Sequence, residues 1–178
     1  MDQDVLRALF GEQLERAGIL IQPLHGLKNS DHLLELQLVE RFIDVRVGVL
    51  ADHVTDTGGT TMEDRTLRDL RRNRDELGRP PFDLFGLAHP DIIAYLDEGV
   101  IRLRAPTFPG WVEVERRWHD KRGAKLKNLA KVATDNLVTF DRATVAALAQ
   151  QMADEMIVPR DDLTAVVQKV IQAANTPR

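Results

Sequence analysis

The chain has 178 residues, of which 43% are hydrophobic and 29% charged, and its formal net charge at pH 7 is -4. This composition excludes a disordered or fibrous protein and is typical of one folded domain, or of one domain with a small addition. The lack of cysteine excludes disulfide bonds, thiolate nucleophiles, cysteine-ligated zinc and iron–sulfur clusters.

The sequence gives no sign of a membrane protein. No apolar run reaches the roughly 18 residues that a membrane-spanning helix needs. Residues 1–16 also lack the basic and then apolar pattern of a signal peptide. We therefore expect a cytoplasmic protein without a membrane partner.

The first part of the chain combines helical and strand patterns. A helix is predicted over 3–17 with Gly18 as its stop, a short strand over 19–24, and either a helix or a strand over 33–39. Apolar and polar residues alternate over 43–50, which predicts a half-buried strand. The apolar residues at helical spacing in the first helix are Val5, Leu6, Leu9, Phe10 and Leu14.

A loop with two glycines at 56–59 is the predicted internal boundary. We expect residues 1–58 to form an N-terminal appendage of helix and strand. We expect residues 59–178 to form the main domain, which ends in two helices.

The main domain is predicted to begin with an arginine-rich helix from Thr61 to Leu77. Several short apolar segments after it have the composition of strands. The predicted strands are 82–87, 92–96, 100–104, 111–117 and 137–140, with a turn at 97–99 and a helix at 121–136.

Two helices are predicted to close the chain. Asp141 is the expected N-cap of the first, and Asp161 or Asp162 of the second. The order of all these elements predicts an α/β fold, with α+β as the alternative, built on a mixed sheet of four or five strands flanked by helices.

Basic residues are concentrated in two stretches of this acidic protein. Thirteen of the 24 lysines and arginines fall within 65–79 and 116–131. Such clustering can create the local positive field that phosphate contacts require. The alternative is two solvated helix faces with ion pairs, because acidic residues are interspersed. The residues that we expect at DNA are Arg65, Arg68, Arg72, Arg116, Arg117, Arg122 and Lys127.

Two glutamates in the segment 111–117 suggest a metal site. On a strand, Glu113 and Glu115 would project from one face, about 6.6 to 7 Å apart along the chain. Carboxylates that share a face raise each other's pKa unless a cation compensates. Mg²⁺ is a natural partner because it prefers oxygen ligands. The alternative is an ordinary strand with two solvated glutamates.

A third carboxylate strengthens this hypothesis. Asp91 follows Pro90 at the head of the predicted strand 92–96, which could lie beside 111–117. Asp91, Glu113 and Glu115 would then converge on one metal ion, while Lys121 or Lys125 orients a water or offsets phosphate charge. Together they would support metal-assisted hydrolysis of a phosphodiester, which needs no protein nucleophile.

These residues resemble a known superfamily. Asp91 after a proline, followed by Glu113-Val114-Glu115 in an apolar segment, looks like the PD-(D/E)XK nucleases. The resemblance implies a restriction-endonuclease-like fold with a mixed core sheet for the main domain. It also implies magnesium or manganese at Asp91 and Glu113, and DNA as substrate or partner.

The sequence around these residues is similar to the replication-relaxation family of actinobacterial plasmids and mobile elements. The matching segments are Thr61–Arg68, His89–Asp91, Val112–Glu115 and the lysines Lys121 and Lys125. They lie within residues 60–140. A metal-dependent endodeoxyribonuclease of plasmid or mobile-element origin is therefore the first functional hypothesis.

The sequence departs from the superfamily pattern at its lysine. Glu115 stands two residues after the central acid, where lysine is usual, so either a Glu-x-Glu site operates or Lys121 substitutes from the following helix. The second hypothesis is therefore a catalytically inactive DNA-binding or regulatory module. The third is a partner-binding protein whose charged helices are merely solvated. The sequence leaves open whether the chain forms a homodimer.

Overall fold

A computed structural model of the protein describes residues 2–21, 23, 48–51, 83–121, 129–134 and 139–176. Helices predominate in this part of the chain. The α-helices are α1 (Asp2–Arg16), α2 (Glu98–Arg104), α3 (Trp111–Lys121), α4 (Leu129–Ala133), α5 (Arg142–Asp154) and α6 (Leu163–Asn175). The strands are β1 (Gly48–Ala51) and β2 (Asp83–Gly86), and a 3-10 helix spans Ile92–Tyr95.

The small size of the sheet contradicts the predicted fold class. Within the described residues, β1 and β2 are the strands, and they pair in parallel with Gly48 opposite Asp83 and Ala51 opposite Gly86. The prediction of an α/β or α+β fold on a mixed, restriction-endonuclease-like sheet of four or five strands is therefore wrong. The structure is mostly helical.

Two of the segments predicted as strands form short helices that begin at capping aspartates. Residues 92–95 form the 3-10 helix, at whose start the Ile93 N–H donates to Asp91 Oδ1 at 3.2 Å. Residues 100–104 belong to α2, at whose start the Val100 N–H donates to Asp97 Oδ1 at 3.0 Å. Each carboxylate accepts from a backbone N–H that has no partner within the helix, which favours the helix over a strand.

Residues 111–117 are a third segment wrongly predicted as a strand. They belong to α3, and the packing of their apolar side chains against the core favours the helix. Trp111, Val114 and Trp118 are buried, and their spacing places them on one face of a helix. Val112, which a strand would bury beside Val114, is 77% exposed, whereas Val114 is 1% exposed. A helix therefore buries Trp111 and Trp118 together, which a strand of period two does not do.

Other predicted elements are confirmed. Helix α1 buries Val5, Leu6, Phe10 and Leu14, and the chain leaves it at Gly18 with a φ of +68°. Strand β2 lies within the predicted strand 82–87, and β1 includes the last three residues of the predicted strand 43–50, whose first five residues lie outside the described part of the chain. The strand predicted over 19–24 is wrong for residues 19–21, which are described and are not in a strand.

The two closing helices are also confirmed. Asp141 caps α5 through a 2.8 Å hydrogen bond from the Thr144 N–H. Asp162 precedes α6 but makes no side-chain cap hydrogen bond. The loop at 56–59, the segment 33–39 and the arginine-rich helix of 61–77 lie outside the described residues.

The core joins residues from both sides of the predicted boundary near residue 58. Val5 and Phe10 of α1 belong to the same buried apolar cluster as Val145 of α5 and Leu163 of α6. An ion pair reinforces this packing, since Arg142 donates to both carboxylate oxygens of Asp4 in α1, at 2.7 and 2.9 Å. Pairing of β1 with β2 adds a second link across the same boundary.

None of the described helices is both long and apolar enough to cross a bilayer.

Candidate functional site

The structure separates the two glutamates of the predicted metal site. Glu113 and Glu115 lie on α3, where each residue turns the helix by about 100°. A separation of two residues therefore corresponds to a rotation of roughly 200° about the helix axis, which places the two side chains on different faces. The premise that both carboxylates share one face of a strand is wrong.

Glu113 is neutralised by arginines of its own helix. Arg116 donates to both of its carboxylate oxygens at 2.7 Å, and Arg117 donates at 2.8 Å. Arg116 also reaches Asp120 at 2.7 Å. The hydrogen bonds from Arg116, and next those from Arg117, lower the pKa of Glu113 to about 2. This network stabilises the exposed side of α3.

Asp91 occupies a different environment, at the start of the 3-10 helix. Its side chain is largely buried, and burial raises its pKa to about 6, opposed by the hydrogen bond from Ile93. The negative charge of Asp2 raises the pKa further, and the positive charge of the chain's amino terminus lowers it. Asp91 therefore acts as the capping carboxylate of the 3-10 helix.

Replacing Asp91 with asparagine is expected to stabilise the protein at alkaline pH. Because the folded-state pKa is raised from 3.8 to about 6, the charged carboxylate destabilises the fold above pH 6, and this penalty disappears as pH falls below 4. Asparagine keeps the oxygen that accepts from Ile93. Urea unfolding should show a gain of about 1 to 3 kcal/mol at pH 8 and almost none at pH 4.

Asp141 offers a matched control for this variant. It is also a helix cap, but the backbone hydrogen bond from Thr144 lowers its pKa, so Asp141→Asn should give no gain at pH 8. A loss of stability in Asp91→Asn at pH 8 would contradict the argument, because it would mean that the charge of Asp91 has a stabilising partner.

A different group of ionisable residues does come together, around His89. Its Nδ1 lies 2.8 Å from Glu115 Oε1, and its Nε2 lies 2.6 Å from Asp161 Oδ2. Arg160 Nη2 is 3.5 Å from the same oxygen of Asp161. The Tyr95 ring meets the imidazole edge-on at 4.9 Å between centroids. We call these five residues the His89 cluster.

Four separate segments build the His89 cluster. His89 follows β2, Tyr95 ends the 3-10 helix, Glu115 lies on α3, and the loop before α6 supplies Arg160 and Asp161. The imidazole is 16% exposed. Its contact with Glu115, and to a smaller extent that with Asp161, raises the pKa of His89, while burial opposes this shift.

Hydrogen bonds of Tyr95 and Arg160 fix the frame of the cluster. The Tyr95 hydroxyl accepts from the Ala88 N–H at 2.9 Å and donates to Asp162 at 3.3 Å. The Arg160 guanidinium donates to the Ala94 carbonyl at 3.0 Å, and its backbone N–H donates to the Tyr95 carbonyl at 3.0 Å. The loop before α6 is therefore attached to the 3-10 helix independently of His89.

The imidazole of His89 has a carboxylate oxygen beside each of its two ring nitrogens. Because the two carboxylates approach different nitrogens, they do not share one cation position. Consistently, no set of three or more potential ligands in the described part of the chain is arranged to hold a metal ion.

Sequence reasoning missed the cluster because its members are far apart in the chain. Asp161 follows His89 by 72 residues, and Glu115 was assigned to a metal instead. The only sequence signal was His89 itself, directly before Pro90.

The remaining predicted site residues are distributed as follows. Lys121 is the last residue of α3, and Arg116 and Arg117 are exposed on the same helix. The predicted residues outside the described part of the chain are Lys125, Arg65, Arg68, Arg72, Arg122 and Lys127.

Comparison with protein-family models, curated proteins and solved structures gave no match. The resemblance of residues 60–140 to nuclease motifs therefore rests on the sequence alone.

Proposed function

We propose that the protein binds DNA through its basic segments and does not cleave it by a metal-dependent mechanism. The observation that carries this proposal is the distribution of charge. The stretches 65–79 and 116–131 contain thirteen basic and four acidic residues, a formal charge of +9, whereas the rest of the chain carries -13. A protein with this asymmetry can attract phosphates locally although its net charge is negative.

The second basic stretch divides into two parts with different roles. Arg116 and Arg117 are already paired with Glu113, so a phosphate would have to displace that carboxylate. Residues 121–127 contain four lysines and arginines and no acidic residue. We therefore assign the strongest phosphate contacts to 121–127, and weaker contacts to the arginines of α3.

The partners of the three predicted metal ligands support a role without catalysis. Asp91 caps the 3-10 helix, Glu113 is bound by two arginines, and Glu115 faces His89. Each carboxylate thus has its own protein partners. We assign none of them to a metal ion.

Binding should depend on salt. The affinity for a labelled DNA duplex, measured by fluorescence anisotropy, is expected to fall as salt rises, by about 0.9 logarithmic units per logarithmic unit of salt for each phosphate contact. Reversing two charges in Arg122→Glu/Lys127→Glu should weaken binding about tenfold or more and reduce the salt slope by about 2. The pair Arg68→Glu/Arg72→Glu should act in the same direction.

Arg7→Glu/Arg16→Glu is the matched control, because it changes the net charge equally on exposed positions of α1. It should leave DNA affinity within about twofold of the unmodified protein. A loss of affinity in Arg7→Glu/Arg16→Glu equal to that in Arg122→Glu/Lys127→Glu would show that net charge alone matters and would contradict the assignment. Cleavage of plasmid DNA with Mg²⁺ or Mn²⁺ that is lost in Asp91→Ala would contradict the absence of catalysis.

A further inference from the structure

We propose that Arg116 and Arg117 form a preassembled site for a phosphate group of DNA, and that the Glu113 carboxylate occupies this site until a phosphate displaces it. The inference rests on the proposed DNA binding and deepens it, because it assigns to one carboxylate of α3 the control of how strongly this helix takes part. Glu113 therefore limits the affinity of the protein for DNA.

Three N–H groups converge on the Glu113 carboxylate. The Arg116 guanidinium binds it as a fork, with Nε 2.7 Å from Oε2 and Nη2 2.7 Å from Oε1. Arg117 Nε donates to Oε1 at 2.8 Å. Two parallel N–H donors of one guanidinium match the spacing of oxygens in a carboxylate and in a phosphate. The donors that hold Glu113 are therefore the ones that a phosphate would use.

The two arginines can be reached from solvent. The side chain of Arg116 is 60% exposed and that of Arg117 is 47% exposed. Burial of Val114 and Trp118 anchors α3 to the core, so the positions of the arginines on the helix do not depend on Glu113. A phosphate can therefore replace the Glu113 side chain without a change in the fold.

The charges of this network cancel. Arg116 and Arg117 contribute two positive charges. Glu113 contributes one negative charge, and Asp120, whose Oδ2 lies 2.7 Å from Arg116 Nη1, contributes the other. Four groups with no net charge do little to attract a phosphate from a distance. As long as Glu113 is in place, the arginines of α3 therefore add little to DNA binding.

The two carboxylates of the network differ in what they block. Removing the charge of either one leaves the network at +1. Loss of Glu113 also frees the Arg116 fork and Arg117 Nε, whereas loss of Asp120 frees Arg116 Nη1 and leaves the fork occupied. A comparison of the two residues therefore separates occupancy of the site from net charge.

The ion pairs of Glu113 are weak enough to exchange with DNA. Exposed ion pairs contribute little net stability, because water and salt screen them and the long side chains lose freedom. A phosphate offers the arginines equivalent hydrogen bonds, and its neighbours on the duplex can contact the basic residues of 121–127 at the same time. Glu113 therefore lowers the affinity of the protein for DNA without abolishing it.

Glu113→Gln tests the inference in the intact protein by fluorescence anisotropy with the labelled DNA duplex. Glutamine has a similar size and no charge, so the variant should bind about five- to tenfold more tightly and increase the salt slope by about 1 to 2. Asp120→Asn is the matched control, because it changes the charge of the same helix equally and leaves the fork occupied. Its affinity should stay within about twofold of that of the unmodified protein.

The gain in affinity should depend on the two arginines. In the background Arg116→Gln/Arg117→Gln, adding Glu113→Gln should change DNA affinity by less than about twofold. A gain that persists without the arginines, or an equal gain in Asp120→Asn, would show that net charge acts alone and would overturn the inference.

Inorganic phosphate separates a failure of this inference from a failure of the proposed function. In an NMR titration that follows the Arg116 Nε–H signal, Glu113→Gln should be half-saturated at a phosphate concentration about tenfold lower than the unmodified protein. If this difference is seen and no variant binds DNA, the phosphate site is supported and the proposed function is wrong. Equal half-saturation in the two proteins would overturn the inference even if the protein binds DNA.

Discussion

Replacing Trp111 with alanine is expected to lower the free energy of unfolding by about 3 to 5 kcal/mol. Trp111 is fully buried at the first turn of α3. Its ring packs against Phe108 at 5.1 Å and Phe140 at 5.5 Å between centroids. Its indole Nε1–H donates to the Leu96 carbonyl at 2.8 Å. Alanine removes both the packing and the hydrogen bond, and urea unfolding measures their sum.

Trp111→Phe separates the two contributions. It keeps most of the aromatic contact area but leaves the Leu96 carbonyl without its donor, so the expected loss is smaller, about 1 to 3 kcal/mol. Tryptophan fluorescence should change in both variants, since Trp118 would then be the remaining tryptophan.

The neighbouring valines test the helical conformation directly. On α3, Val112 is exposed and Val114 is buried, so Val112→Asp should change stability by less than about 0.5 kcal/mol while Val114→Asp should be severely destabilising. A strand would bury both residues on one face. Comparable losses for both variants would therefore refute the helix.

Gly110→Ala is expected to cost about 2 to 3 kcal/mol, for two independent reasons. Gly110 has a φ of +96°, which strains any residue with a Cβ atom. A Cβ atom there would also lie 2.9 Å from Glu98 Oε2. Glu98 receives hydrogen bonds from the Trp111 N–H at 2.9 Å and from Arg102 at 2.8 Å. Displacing Glu98 would therefore loosen the start of α3.

Gly18→Ala is the control that isolates the second reason. Gly18 has a φ of +68°, but a Cβ atom there meets nothing within 4 Å. Its alanine variant should show the backbone strain alone, about 1 to 2 kcal/mol. Equal losses at Gly18 and Gly110 would show that the contact with Glu98 does not matter.

These results bear on function because α3 carries five of the twelve residues from which function is predicted. Trp111 and Gly110 set the rotation of α3 about its axis. That rotation places Glu115 at His89 and leaves Arg116 and Arg117 in solvent. With α3 as a helix, Glu113 and Glu115 do not share one face, whereas the charge distribution on which the proposed DNA binding rests is unaffected.

Local sequence determined the elements whose signals lie within a few residues. Periodicity and capping signals predict several elements correctly. These are the helix α1 with its glycine stop, the start of α5 at Asp141, the apolar face of α6 around Val166, and the strands β1 and β2. Such signals depend on neighbours in the chain, so they do not require knowledge of the fold.

The tertiary structure decided the conformation of the short apolar segments and the composition of the site. Over a few residues, both periods can be read from one segment: Val112 and Val114 recur with a period of 2, and Trp111, Val114 and Trp118 with a period near 3.6. The helix is favoured because it places Trp111, Val114 and Trp118 on one face, where all three are buried in the core. His89, Glu115 and Asp161 meet only because packing brings distant segments together, and no pattern within a single segment encodes that meeting.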